Sequence, residues 1–128
     1  MNILEAENEL NRKSGEILGA AVAVHKALGH GFYEAVYGDA LEIEMKERYI
    51  PFEREKRVEI EYRGQKLAHY YVADFIYYGN IVVDLKAVDA ITPTHAAQVL
   101  NYLKATNMNL GLILNFGETT LKIKRIRR

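Results

Sequence analysis

The sequence predicts an α/β domain in which helices flank a mixed β-sheet, in the order α-α-β-β-β-α-β-β. Three observations carry this prediction. Apolar residues recur at helical spacing before Pro51, the pattern changes after Pro51 to strand-like alternation, and one more helical stretch then separates two late strand-like runs.

The first helix is expected from about Glu5 to Leu28, where Ile17, Leu18, Ala21, Val22, Val24 and Leu28 follow the 3.6-residue period. Gly29-His30-Gly31 breaks it, with Gly29 placed as a C-terminal cap. A second helix, from about Tyr33 to Arg48, keeps Val36, Tyr37, Ala40, Leu41 and Met45 on one side. Val58, Ile60 and Tyr62 then alternate with Glu59, Glu61 and Arg63, as in a half-buried strand. Arg63-Gly64 turns the chain, Lys66–Tyr77 forms a second strand, and Tyr78-Gly79-Asn80 turns it again. Ile81–Val88 is apolar enough to be a central strand. Thr92 can cap the third helix with Pro93 at its first position, where the missing N–H costs nothing. That helix runs to about Ala105, and strands follow at Leu110–Asn115 and Thr120–Ile126.

The 128 residues suit one compact domain, read here as 1–128, and no Pro/Gly/Ser-rich linker divides them. The absence of cysteine excludes a disulfide framework and a thiolate zinc site, and points to a reducing compartment. With no signal-peptide pattern, and an Ile17–Val24 run far short of the ~20 residues a bilayer requires, the expected location is the cytoplasm, away from any membrane. A net charge of zero counts against a protein that coats nucleic acid, but permits an enzyme that meets a phosphate backbone over a limited patch. The tail Lys122, Lys124, Arg125, Arg127, Arg128 fits either a solvated end or a phosphate-contacting strip. His25 is expected on a helix surface, His30 in a loop, and Tyr70 and Tyr71 in sheet packing. The stripe Ile17, Leu18, Ala21, Val22 could pack on the sheet or form a homodimer interface.

The chemistry-bearing residues interrupt the two most apolar strands. Asp84 and Lys86 are two apart on a strand and so share a face. An acid and a base are costly to bury there unless paired or bound to a metal. Asp74 interrupts Val72-Ala73-Asp74-Phe75-Ile76 on the preceding strand. A three-residue turn at Tyr78-Gly79-Asn80 sets Tyr77 opposite Ile81 and brings Asp74 opposite Asp84 on one face, whereas a two-residue turn puts them on opposite faces. Two facing carboxylates repel, and a hard divalent cation such as Mg²⁺ or Mn²⁺ relieves the conflict. Lys86 could then orient or deprotonate a metal-activated water, a combination sufficient for phosphodiester hydrolysis. In the third helix, His95, Gln98 and Tyr102 form a polar stripe that is either a solvated side or the border of the site.

Gly31-Phe32-Tyr33-Glu34-Ala35-Val36-Tyr37 resembles the signature of the GxxExxY protein family, which is itself similar to the PD-(D/E)XK nuclease superfamily. The resemblance runs from about Ile17 to Arg128. It takes in the Asp74 strand, Asp84-Leu85-Lys86-Ala87, Gln98-x-x-x-Tyr102 and Leu112-Ile113-Leu114-Asn115-Phe116-Gly117. It implies a restriction-endonuclease-like core. It also implies Asp74 and Asp84 as metal ligands, the Leu85 carbonyl and Glu34 as further ligands, and Lys86 as the catalytic lysine. Gln98 and Tyr102 would position nucleic acid, DNA before RNA. Most relatives carry Glu at the place of Asp84, and the shorter side chain could shift the metal by about 1.5 Å. A nuclease-like binding or partner module with little or no catalysis is the alternative.

Overall fold

The computed structural model describes residues 1–128. Helix α1 spans Ile3–Leu28, because the Asn2 side chain accepts the Glu5 N–H and starts the helix two residues earlier than the apolar pattern indicates. It ends at Gly29, whose φ is 69° and whose N–H is donated to the His25 carbonyl. Helix α2 (Glu34–Glu47) follows a tight connection through Gly31, where φ is 113° and a side chain would be strained.

Strands β1 (Phe52–Tyr62), β2 (Gln65–Tyr77) and β3 (Ile81–Lys86) come next, then helix α3 (Pro93–Thr106) and strands β4 (Leu110–Asn115) and β5 (Lys122–Arg127). They form one sheet in the order β1-β2-β3-β4-β5, antiparallel except for the parallel pair β3–β4. The parallel pair needs a crossover, and α3 provides it. Element order and sheet type are those the sequence predicts. Several boundaries move by one or two residues, and β3 stops at Lys86 instead of Val88 because the Asn115 side chain takes both the N–H and the carbonyl of Val88 out of the strand.

Both faces of the sheet are covered. Ile17, Ala21, Tyr37 and Leu41 of α1 and α2 pack on Phe75, Tyr77, Val83, Leu85 and Leu112. The apolar stripe of α1 thus faces the sheet: Ile17 and Ala21 are fully buried, with Leu18 half-buried against the same core. On the opposite face, Val99 and Leu103 of α3 pack on Ala73, Ile76, Val82 and Ile113. Gly111 makes that approach possible, since a Cβ there would meet Val99 Cγ1 at 2.6 Å.

One irregularity matters for the site. In β2, Phe75 and Tyr77 belong to the α1/α2 side, as alternation requires. Ala73 nevertheless joins Ile76 on the α3 side, and Tyr71 packs there too. In β1, Phe52 packs on one core and Val58 on the other. Alternation therefore slips by one residue on both strands, with Glu55 at a φ of 53° and Asp74 at the matching place on β2. A left-handed residue inside a strand rotates the chain beyond it, so the outer hairpin presents the reverse faces.

One sequence expectation is corrected. His25 is not a surface residue. It is buried, its Nε2 lies 2.9 Å from the Glu118 carbonyl, and its ring tilts against Phe116. The five cations of the basic tail are all exposed, as a solvated end requires, but they do not form one strip. Arg125 donates to Asn11 and Ser14 of α1, Arg127 pairs with Glu7, and Arg128 donates to Asn107 and Asn109.

Candidate active site

The β2–β3 ladder pairs Tyr77 with Ile81, Ile76 with Val82 and Phe75 with Val83, then stops. This is the register that brings Asp74 and Asp84 level. The connection is the three-residue one, with Tyr78 and Gly79 at φ values of 55° and 73°. Beyond Phe75 and Val83 the strands part, and the Asp74 carboxylate fills the gap by accepting the Leu85 N–H at 2.7 Å. The N–H and C=O of one strand residue point to the same side. The Leu85 carbonyl therefore also faces the gap, whereas the Lys86 carbonyl faces β4 and accepts the Phe116 N–H at 2.8 Å.

Asp84 and Lys86 are half-buried and paired, with Lys86 Nζ 3.1 Å from Asp84 Oδ2. Burial pushes the Asp74 carboxyl up to about 7. The Leu85 N–H opposes that shift, while the hydrogen bond and charge of Asp84 and the charge of Glu34 add to it. Burial works against the Lys86 ammonium, but Asp84, Glu34 and Asp74 together hold its pKa above the ordinary value. Two acids and one base thus share one electrostatic unit, in which the Asp74 carboxyl takes up its proton near neutral pH rather than in the usual acid range.

A cleft of about 210 Å³ opens beside this unit, between α2 and the strands, lined by Glu34, Gly38, Arg54, Asp74, Phe75 and Leu85 among others. The Gly31–Tyr37 segment builds its rim. Tyr37 is fully buried, donates its hydroxyl to the Gly29 carbonyl at 2.6 Å, and stacks on Phe116 with ring centroids 4.6 Å apart. Glu34, one turn earlier, is left on the exposed cleft side. The motif spacing has a physical basis: Gly31 makes the turn, Tyr37 anchors it and Glu34 faces the cleft. Glu34 lines the same cleft as Asp74, yet no three His, Cys, Asp or Glu side chains converge into a metal-binding cluster.

Of the α3 stripe, His95 is used at the helix start. Its Nδ1 accepts the Thr92 N–H at 3.1 Å, and its own N–H is donated to Thr92 Oγ1 at 3.2 Å. Gln98 is exposed. Tyr102 stacks face to face on Tyr71, with centroids 3.3 Å apart and planes 10° from parallel. Tyr71 packs in the sheet as expected, and its phenol is pushed up by burial and by the charges of Asp84 and Asp74. Strict alternation counted back from Tyr77 puts Tyr71 on the α1/α2 side, and the slip at Asp74 turns it to α3. Sequence reasoning missed Asn115 as a positioning residue. Its buried amide grips Val88, Gly117 and Glu118, and so fixes the chain leaving Lys86.

The sequence profile of the PD-(D/E)XK nuclease superfamily matches residues 11–127. The chain belongs to that superfamily. Among solved structures, the crystal structure of SSO0001 is similar, with a TM-score of 0.57 and 22% identity over 74% of this chain and 50% of that one. That likeness shows the fold, and the chain corresponds to about half the length of that relative. A search of curated proteins gives no match. No helix is long and apolar enough to cross a membrane.

Proposed function

We propose that this chain is a divalent-metal-dependent phosphodiesterase acting on nucleic acid, DNA before RNA, as a single nuclease-like domain of the GxxExxY branch working in the cytoplasm. The observation that supports this most is the meeting of Asp74, Asp84 and Lys86 where the β2–β3 ladder ends, in a chain of the PD-(D/E)XK superfamily.

The residues present fit a hard cation such as Mg²⁺ or Mn²⁺. The donors are all oxygen, the two carboxylates are in electrostatic conflict without a cation, and the Leu85 carbonyl faces the same gap. Asp74, Asp84 and that carbonyl would hold the ion, with Glu34 reaching it directly or through water. When bound, the ion supplies an activated water and charge stabilisation at the phosphoryl oxygens. Lys86 exchanges its contact with Asp84 for the attacking water or the developing charge. Gln98 and Tyr102 on α3 orient the substrate strand.

A nuclease-like partner module is the second reading, favoured by the Lys86–Asp84 ion pair and the lack of a third clustered ligand. Cleavage of single- and double-stranded DNA in Mn²⁺ by wild type and Lys86→Ala separates the two. Wild type should cut, and the variant should lose about 10²–10⁴-fold in rate while still being stabilised by Mn²⁺ against heat. Equal cleavage by both removes Lys86 from the mechanism. Stabilisation by Mn²⁺ with no cleavage by wild type favours the partner module.

A further inference from the structure

Tyr71 stands on β2, three residues before Asp74. Its hydroxyl is shielded from solvent and has no hydrogen-bond partner. Such groups are rare in folded proteins, and each one forfeits the hydrogen bonds it would make to water. Glu59 Oε2 and the Tyr77 hydroxyl are also unpartnered, but the charged neighbour of Tyr77 is Arg54. Tyr71 packs on the α3 side of the sheet, the side to which alternation turns Asp84 between Val83 and Leu85, whereas Tyr77 lies on the other side, and the charges of both Asp84 and Asp74 bear on Tyr71.

Its orientation is fixed from two sides. The ring lies flat on Tyr102 of α3, and Val58 faces it across the β1–β2 ladder. The hydroxyl therefore cannot swing to solvent without breaking the stack. The Asp84 carboxylate holds Lys86 through Oδ2 and accepts nothing from the Tyr71 hydroxyl. A donor held rigidly beside two carboxylates, with nothing to donate to, is arranged for a group that arrives later.

We infer that Tyr71 is a further residue of the reaction centre, and that its hydroxyl donates a hydrogen bond to an oxygen bound at the Asp74–Asp84 pair. That oxygen belongs to a water in the cation's shell or to the phosphoryl group of the substrate. The inference rests on the proposed phosphodiesterase reading. It also gives the stack on Tyr102 a purpose, since Tyr102 then acts on the site partly by holding Tyr71.

Tyr71→Phe keeps the ring and the stack and removes only the hydroxyl. Wild type and variant are compared by thermal unfolding with and without Mn²⁺, and by steady-state cleavage of DNA. In the absence of metal the variant should melt at the same temperature or higher, because the unpaired hydroxyl is gone. Its kcat should fall about 10–100-fold with KM little changed, the size of one hydrogen bond to a charged group. A reduced Mn²⁺ stabilisation alongside that loss identifies the oxygen as metal-bound water. An unchanged Mn²⁺ stabilisation alongside it identifies the phosphoryl oxygen. Unchanged kcat overturns the inference. So does a kcat loss matched by a fall in melting temperature, which would make Tyr71 a packing residue. A wild type that neither responds to Mn²⁺ nor cleaves strikes the phosphodiesterase reading itself, whereas a responsive wild type matched by Tyr71→Phe strikes this inference alone.

Discussion

The two halves of β3 are continuous in backbone and opposite in support. Ile81, Val82 and Val83 are fully buried and hydrogen-bonded to strands on both sides, β2 and β4. Asp84, Leu85 and Lys86 keep β4 but have no β2 ladder, and a carboxylate stands where the neighbouring backbone would be. The closed half is a place to put stability. The open half leaves backbone groups and charged side chains free to meet something else. A sheet can carry both on one six-residue strand because the parallel partner β4 holds the whole length in place.

The largest effect should come from breaking the closed half. Ile81→Ala removes a fully buried side chain between two ladders and should cost about 2–5 kcal/mol, read by denaturant unfolding. The folded fraction should still respond to Mn²⁺ as wild type does.

The open half should instead reveal itself through pH. The Asp74 carboxyl is held at about 7 in the folded chain, against 3.8 for the free group. Between those values the folded state binds more protons than the unfolded one, so stability falls as pH rises from about 4 through about 7. Metal-free wild type should therefore melt at a lower temperature at pH 8 than at pH 5. Asp74→Asn, which can keep the bond to the Leu85 N–H, should reduce that dependence. An unaltered pH profile in the variant would assign it to other groups.

The smallest effect belongs to Gln98→Ala. Gln98 is exposed, so stability should change by no more than about 0.5 kcal/mol. If Gln98 contacts the substrate strand, KM should rise about 2–10-fold, the value of one neutral hydrogen bond.

Much of this was legible from residue order. The period change at Pro51, the Thr92-Pro93 start of α3 and the turn at Tyr78-Gly79-Asn80 set the elements, whereas residue order left the hairpin open between a two- and a three-residue turn, and the ladder decides for the register that brings Asp74 level with Asp84. Other features depended on tertiary packing that no local pattern encodes. His25 lies four residues after Ala21, on the buried stripe of α1, but only tertiary packing supplies the Phe116 ring and the Glu118 carbonyl that let a polar ring be buried there. Tyr71 obeys strand alternation only if the strand is regular, and a non-glycine residue at positive φ such as Glu55 gives no sequence warning. The partners of Asn115 lie in two separate loops, and only the folded chain brings them together.

The reversal of faces at Glu55 and Asp74 also bears on how such a chain can diversify. The ribbon beyond it, from Lys56 to Ala73, turns at Arg63-Gly64 and is largely exposed. Residues added to or removed from the tip in opposed pairs would leave the pairing of Phe75 with Val83 as it is. Mutation could therefore lengthen, shorten or recharge this arm, and so change what the protein reaches, while the carboxylates at its base keep their places.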